Sequence, residues 1–352
     1  MNLVAADFGT GIYTSTNSGA IWNQTSASNE YWLSVASSAD GTKLAAIGGN
    51  NVPGNYDICI STNSGSTWIP AMLPVTSWQT VASSADGTKL IAGDSAGGFG
   101  VYTSTNSGVT WNSNSLSPYT LYCSAVAMSA DGSKMVAVGS GQPAIYTSTN
   151  SGATWVPNNT VTNFYGQSVA SSADGTKLVL VGIVEPAIRL STNSGATWAS
   201  NGTPGLYWQS VASSADGTRL VAAEEDGAIY TSTNSGTTWT SNSVPFTFWR
   251  SVASSADGSK LVAVISGNFP NLAYGIYISD STPTPQLNLA PSGSNLTASW
   301  IIPSKNFVVQ QSPDLSSWTD VTNAPTLNLS NLQDEVVLSP TNTSGFYRLT
   351  TP

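Results

Sequence analysis

Ser191-Thr-Asn-Ser-Gly-Ala-Thr-Trp198 decides the fold of this chain, because the same block returns along its length. Ser-Thr-Asn-Ser-Gly, two further residues and Trp occurs six times, ending at Trp22, Trp68, Trp111, Trp155, Trp198 and Trp239. The spacings are 46, 43, 44, 43 and 41 residues. A second block, Ser-Ala-Asp-Gly, keeps the same beat at Asp40, Asp86, Asp131, Asp174, Asp216 and Asp257. A fixed period in the forties marks an array of small units, none of which can bury its faces alone.

One unit, 207–240, reads as four strands. Gln209-Ser-Val-Ala-Ser213 alternates and is a first strand. Ala215-Asp-Gly-Thr218 is a turn, since Asp bonds its own backbone and Gly accepts positive φ. Arg219-Leu-Val-Ala-Ala223 is nearly all apolar, as a strand covered on both faces should be. Ala228-Ile-Tyr-Thr-Ser232 is the third strand, and Thr238-Trp-Thr240 starts the fourth. Four short antiparallel strands per unit is a propeller blade. The Trp of each block is expected to pack between blades. Burying an indole removes ~150–250 Å² from water, which is worth ~4–6 kcal/mol at ~25 cal/mol/Å².

Counting strand motifs gives seven blades. The chain starts at the second strand of the first blade, Asn2-Leu-Val-Ala-Ala6. The natural polypeptide is therefore expected to begin upstream of Met1, with the missing hairpin and a secretion signal. The alternative is a three-stranded first blade, open to a partner's strand. In the seventh unit, Pro285-Gln-Leu-Asn-Leu289 falls where the fourth strand belongs, without the Trp.

Composition changes at the Pro-rich hinge Ser281-Thr-Pro-Thr-Pro285. The propeller is placed at 1–285. Beyond it, Asn295–Trp300, Phe307–Gln311, Trp318–Val321, Glu335–Leu338 and Phe346–Leu349 read as strands between turns. A small β-sandwich is expected over 286–352, so the fold class is all-β throughout.

Only 8% of the 352 residues are charged, against roughly 25% in ordinary soluble domains. Ser, Thr, Asn and Gly keep the surface wet instead, a habit of extracellular and cell-surface proteins. The net charge of −9 argues against nucleic acid or an anionic membrane as partner. No apolar stretch approaches the ~20 residues of a membrane-spanning helix. The chain has no His, which removes the commonest general base and metal ligand. Neither a metal nor another cofactor is expected. Cys59 and Cys123 lie in units that are not neighbours and read as free thiols.

The eight-residue block resembles the Asp-box of the sialidase and BNR-repeat propellers, Ser-x-Asp-x-Gly-x-Thr-Trp. Asn stands for Asp in all six copies, and Ile21 for Thr in the first. Asn can make the same turn hydrogen bonds. The resemblance covers residues 1 to about 280 and implies that the box is a structural turn, away from any active face. The C-terminal segment resembles the fibronectin-type-III-like β modules that end many secreted bacterial proteins. Sialidase chemistry, as the family performs it, needs three arginines, a tyrosine nucleophile with a glutamate partner, and an acid. This chain has four arginines: Arg189, Arg219, Arg250 and Arg348. Only Arg250 is expected near the central channel, so no carboxylate clamp assembles and no enzyme is expected.

Function is sought where the units differ. The loops after the second strands vary most, over 48–57, 93–100, 139–143, 182–186, 224–227 and 266–274. Loop variation on one rim of a rigid scaffold builds binding surfaces. Aromatic residues lead into the first strands on that same face: Tyr31, Trp32, Trp78, Tyr122, Phe164, Tyr165, Tyr207, Trp208, Phe248 and Trp249. They either seal adjacent blades or offer ring faces for stacking on sugars. The ligand-binding candidates are Tyr31, Trp32, Trp78, Tyr165, Tyr207, Trp208, Trp249 and Arg250. Glu185, Glu224, Glu225 and Asp226 form an acidic set, read either as a catalytic or cation-binding cluster or as a solvated loop. The expected function is non-catalytic, extracellular glycan binding by repeated weak sites. A structural or surface-protein-binding role is the alternative, and a glycoside hydrolase the third reading. Oligomeric state is not legible.

Overall fold

In the computed structural model the described residues are all but 1, 8, 28–30, 50–56, 72, 74–76, 96–99, 115, 117–121, 142, 163, 184–187, 202–206, 243–247, 266–274, 281–286, 302–306, 329–331, 339–345 and 351–352. They form an all-β protein in which the blades follow one another along the chain. Blade six is representative. Its strands are Trp208–Ser213, Leu220–Glu224, Ile229–Ser232 and Thr240–Ser241, antiparallel and hydrogen-bonded in chain order. Trp239 therefore lies in the turn before the fourth strand and not within it. Among the described residues, blades two to six have four strands, and blade one (Leu3–Asp7, Gly11–Ser15, Asn23–Gln24) and blade seven (Trp249–Ser254, Lys260–Ile265, Ile276–Asp280) have three.

Both sequence blocks fold for local chemical reasons. In the turn after the third strand, the Gly236 N–H donates to Ser232 Oγ (2.9 Å) and the Thr238 N–H to Asn234 Oδ1 (2.9 Å). Asn234 Nδ2 donates to Thr238 Oγ1 (2.8 Å), and the Trp239 indole to the Gly236 carbonyl (3.1 Å). Asn thus closes the turn from both its amide atoms. In the Ser-Ala-Asp-Gly turn, Ser214 Oγ donates to Asp216 Oδ1 (2.6 Å) and the Thr218 N–H to the same oxygen (2.9 Å). That turn also joins blades. The Ala173 N–H donates to the Ala215 carbonyl and the Ala215 N–H to that of Ala256, each at 2.7 Å. Lys177 Nζ reaches the Asp216 carbonyl of the next blade (2.8 Å).

The turn tryptophans pack as wedges. Trp68, Trp111, Trp155, Trp198 and Trp239 each join the apolar cluster between their own blade and the preceding one. The ring closes at Gly19 of blade one, whose Cα faces the Ile278 side chain of blade seven closely enough to leave no room for a Cβ. Gly65 and Gly108 sit the same way against Thr25 and Ile60 of their preceding blades.

Past blade seven the chain departs from expectation. Asn288–Ser292 pairs with Asn295–Ile301, and not with the third strand of blade seven. The C-terminal region has two sheets. One holds these strands with Gln333–Leu338 and Thr326–Asn328; the other holds Thr319–Asp320, Val308–Ser312 and Phe346–Thr350. Its core is Ala298, Trp300, Val309, Val336 and Leu338. Leu332 reaches away from that core and packs against the alanines of the turn face, Ala130, Ala173 and Ala215 among them.

Candidate functional site

The lead-in residues of the first strands divide into two groups. The register of every first strand of blades two to seven shifts by one residue at its start, between Trp208 and Ser210 in blade six. Such a bulge re-aims a side chain. Here it turns the tryptophan into the sheet stack and its predecessor outward. Trp32, Trp78, Trp208 and Trp249 are 3, 1, 0 and 1% exposed. Trp78, Trp208 and Trp249 meet Tyr102, Tyr230 and Tyr277 edge-on, at 4.9 to 5.2 Å between ring centres. The Trp249 indole donates to the Gly227 carbonyl (3.0 Å). Of the two roles open to them, blade seal or stacking platform, these four candidates take the first: they are core.

Where the tryptophan is missing, something else fills its place. Blade four carries Cys123 there, buried, with its thiol pushed up to about 12 by burial and by the Asp94 carboxylate. Blade five carries Gly166, and buried Phe164 supplies the ring instead.

The outward group is different. Tyr122, Tyr165 and Tyr207 hold one position in blades four, five and six and are 50, 45 and 66% exposed. The backbone pins them. The Tyr207 carbonyl accepts from the Glu225 N–H (2.7 Å) and the Tyr165 carbonyl from the Ile183 N–H (3.3 Å). Arg250 is exposed on blade seven, beside half-buried Phe248, and Tyr31 of blade two is half-buried. The loop face thus carries an aromatic rim over successive blades, ending at a cation. Tyr122 shares this position and belongs with the candidates; its equivalence to Tyr165 and Tyr207 in the repeat is the signal that finds it.

Three of the acidic set, Glu224, Glu225 and Asp226, lie among the described residues. Glu224 Oε2 accepts from the Ala228 N–H (3.3 Å) and closes its own loop. Glu225 and Asp226 are exposed, and the Glu225 N–H holds the Tyr207 carbonyl. Glu185 lies outside the described residues, as do most of the variable loops. Among the described residues, no group of three or more Cys, Asp or Glu side chains is placed to hold a metal ion. Arg189 sits over the Phe164 ring at 5.3 Å and Arg348 over Trp318 at 4.2 Å, each engaged far from Arg250 in sequence.

No protein-family model matches the chain, and no curated protein matches it. Solved structures do. A GH74 enzyme from Niastella koreensis is 13% identical, with a TM-score of 0.64 over 99% of this chain and 69% of its own. A GH74 xyloglucanase from Xanthomonas campestris is 15% identical, with a TM-score of 0.60 over 85% of this chain and 56% of its own. YCF48 bound to a D1 peptide is 16% identical, with a TM-score of 0.58 over 80% of this chain and 89% of its own. At these identities the likeness shows the fold, a β-propeller.

The expectation of a non-catalytic glycan binder does not stand. The similar structures named above include two GH74 enzymes, one of them a xyloglucanase. Of the eight candidates offered for glycan binding, the four tryptophans are buried.

Proposed function

We propose that this propeller recognises protein segments through the tyrosine rim of its loop face. The carrying observation is the exposure of Tyr122, Tyr165 and Tyr207 at one repeat position on consecutive blades. Tyrosine offers a large ring with a polar tip and only two torsions to freeze, which suits protein recognition. The bulge fixes each backbone, so little ordering is needed on binding. Exposed Glu225, whose N–H holds the Tyr207 carbonyl, and the exposed Asp226 after it add negative charge to this face, so the favoured segment carries basic and apolar residues. A propeller of similar fold solved with a bound peptide supports the reading.

The Ser232–Trp239 turn network supports placing the repeats with the Asp-box class, and the low charge supports an extracellular or cell-surface setting. The two-sheet C-terminal region supports a spacer of the fibronectin-type-III-like kind.

The test is selection of random dodecapeptides by phage display on the whole chain. The reading expects a basic, apolar consensus whose binding falls about ten-fold or more in a Tyr122→Ala/Tyr165→Ala/Tyr207→Ala variant of unchanged Tm. No enriched peptide, or equal binding by the triple variant, contradicts it. Action on a polysaccharide is the second reading, favoured by the likeness to two GH74 structures. Release of reducing ends from xyloglucan by the wild-type chain would support that reading instead.

A further inference from the structure

We infer that the junction between blades six and seven is a second docking site, built for an extended peptide carrying an aromatic side chain and an acidic group. Five other junctions show what such a wedge holds: the turn tryptophan of the following blade. The cluster between blades six and seven has no such residue. It consists of Val221, Ala223, Ile229, Trp249, Val252 and Ala263, with Ala212, Leu261 and Ile265 packed on it.

A cavity of about 360 Å³ stands at this junction, between Ile229 and Thr231 on one side and Leu261, Ala263 and Tyr277 on the other. That volume is within the range of small-ligand sites, roughly 300–1,000 Å³. Its outer wall is the third strand of blade seven, which has no fourth-strand partner among the described residues. Ile276, Tyr277 and Ile278 are consequently 41–42% exposed, whereas the matching Tyr102 and Tyr146 of blades three and four are 5 and 3% exposed. An unpaired strand edge beside an apolar wedge is suited to strand addition, in which the edge gives affinity and the wedge selects a side chain. The residues that follow, Ser281-Thr-Pro-Thr-Pro-Gln286, include no aromatic, and their two prolines have no N–H to donate.

Charge sets the second requirement. Arg219 is the one charged side chain lining the cavity among the described residues. In blade five the matching Lys177 reaches the turn hydroxyl Ser235 Oγ of the next blade (3.3 Å), and in blade three Lys89 reaches Ser151 Oγ (3.1 Å). A cation at this point of the wedge thus meets an acceptor in the sister junctions. An occupant with a carboxylate there complements the guanidinium better than a hydroxyl does.

The site is separate from the tyrosine rim and stands without it. The probe is a fluorescein-labelled synthetic peptide of residues 233–242 carrying Ser235→Asp, which reproduces the missing turn and its tryptophan. Titration on the whole chain should give saturable binding. Trp239→Ala in the peptide should weaken it about ten-fold or more, as loss of an aromatic anchor does. Arg219→Gln in the protein should remove the advantage over the unsubstituted peptide, and Thr231→Trp, which fills the wedge from its wall, should abolish binding with Tm retained. Hydrogen exchange should slow at Ile276–Asp280 on binding. Absence of saturation up to about 1 mM, equal binding of the Trp239→Ala peptide, or protection at the loop face instead would overturn the proposal.

Discussion

Gly19 of blade one lies against Ile278 of blade seven, and this contact closes the ring. Gly19 has φ of +85°, so a side chain there is strained as well as obstructed. Gly19→Val should therefore cost about 1–3 kcal/mol for the backbone alone, with more from the clash. Gly195→Val, at the same position of an internal junction, should cost about as much. Thermal unfolding of both checks this. A Gly19→Val that costs clearly less than Gly195→Val, backbone strain without the clash, would mean that blades one and seven do not meet.

The turn chemistry predicts which substitutions the repeats tolerate. Asn234→Asp keeps the acceptor for the Thr238 N–H, and the Thr238 hydroxyl can turn to donate to it. It should be nearly neutral. Asn234→Ala removes the acceptor and should cost about 1–2 kcal/mol, read from chemical denaturation of the two variants.

The repeated aspartates make stability depend on acid. Burial pushes Asp216 up, but hydrogen bonds from Ser214 and Thr218 and the charge of Lys177 outweigh it, leaving the carboxyl below its ordinary 3.8. Asp40, Asp86, Asp131 and Asp174 are lowered in the same way, by hydrogen bonds from their own turns: a serine and a threonine each, or two serines at Asp131. A folded-state value below the unfolded one means that the unfolded chain binds more protons. The stabilisation is complete above the unfolded value and is lost as pH falls through the folded values. Tm should be flat from neutral pH to about 5 and then fall steadily toward pH 2, with a shallower fall in an Asp131→Asn/Asp174→Asn/Asp216→Asn variant.

Cys123 should be inert. A buried thiol held near 12 offers almost no thiolate at pH 8. Ellman's reagent should leave it unmodified in the native chain and titrate both cysteines after denaturation.

Much of the ring was legible because its determinants are local. Ser, Asn, Asp and Gly at fixed offsets dictate turns, and turns at a fixed period dictate blades. The lead-in aromatics read either as seals between blades or as ring faces, because the one-residue bulge that separates the two roles leaves no mark in the sequence. The bulge between Trp208 and Ser210 puts Trp208 inside and leaves Tyr207 out. The end of blade seven was misjudged for another reason. Strand pairing past the hinge is decided by the partner Asn295–Ile301, and no local signal separates Asn288 in a fourth strand from Asn288 in a new sheet. The packing of Leu332 on the turn-face alanines, about 120 residues from Ala215 in sequence, is likewise a tertiary matter.

The division between outward tyrosines and inward tryptophans is the centre of the account. The direct measurement is Tm, together with affinity for a phage-selected dodecapeptide, in Tyr165→Ala/Tyr207→Ala and in Trp208→Ala. The tyrosine pair should lose binding about ten-fold or more with Tm unchanged. Trp208→Ala should lose about 3–5 kcal/mol of stability. A tyrosine pair that unfolds the ring while leaving affinity intact, or a Trp208→Ala chain that is stable but cannot bind, would contradict it.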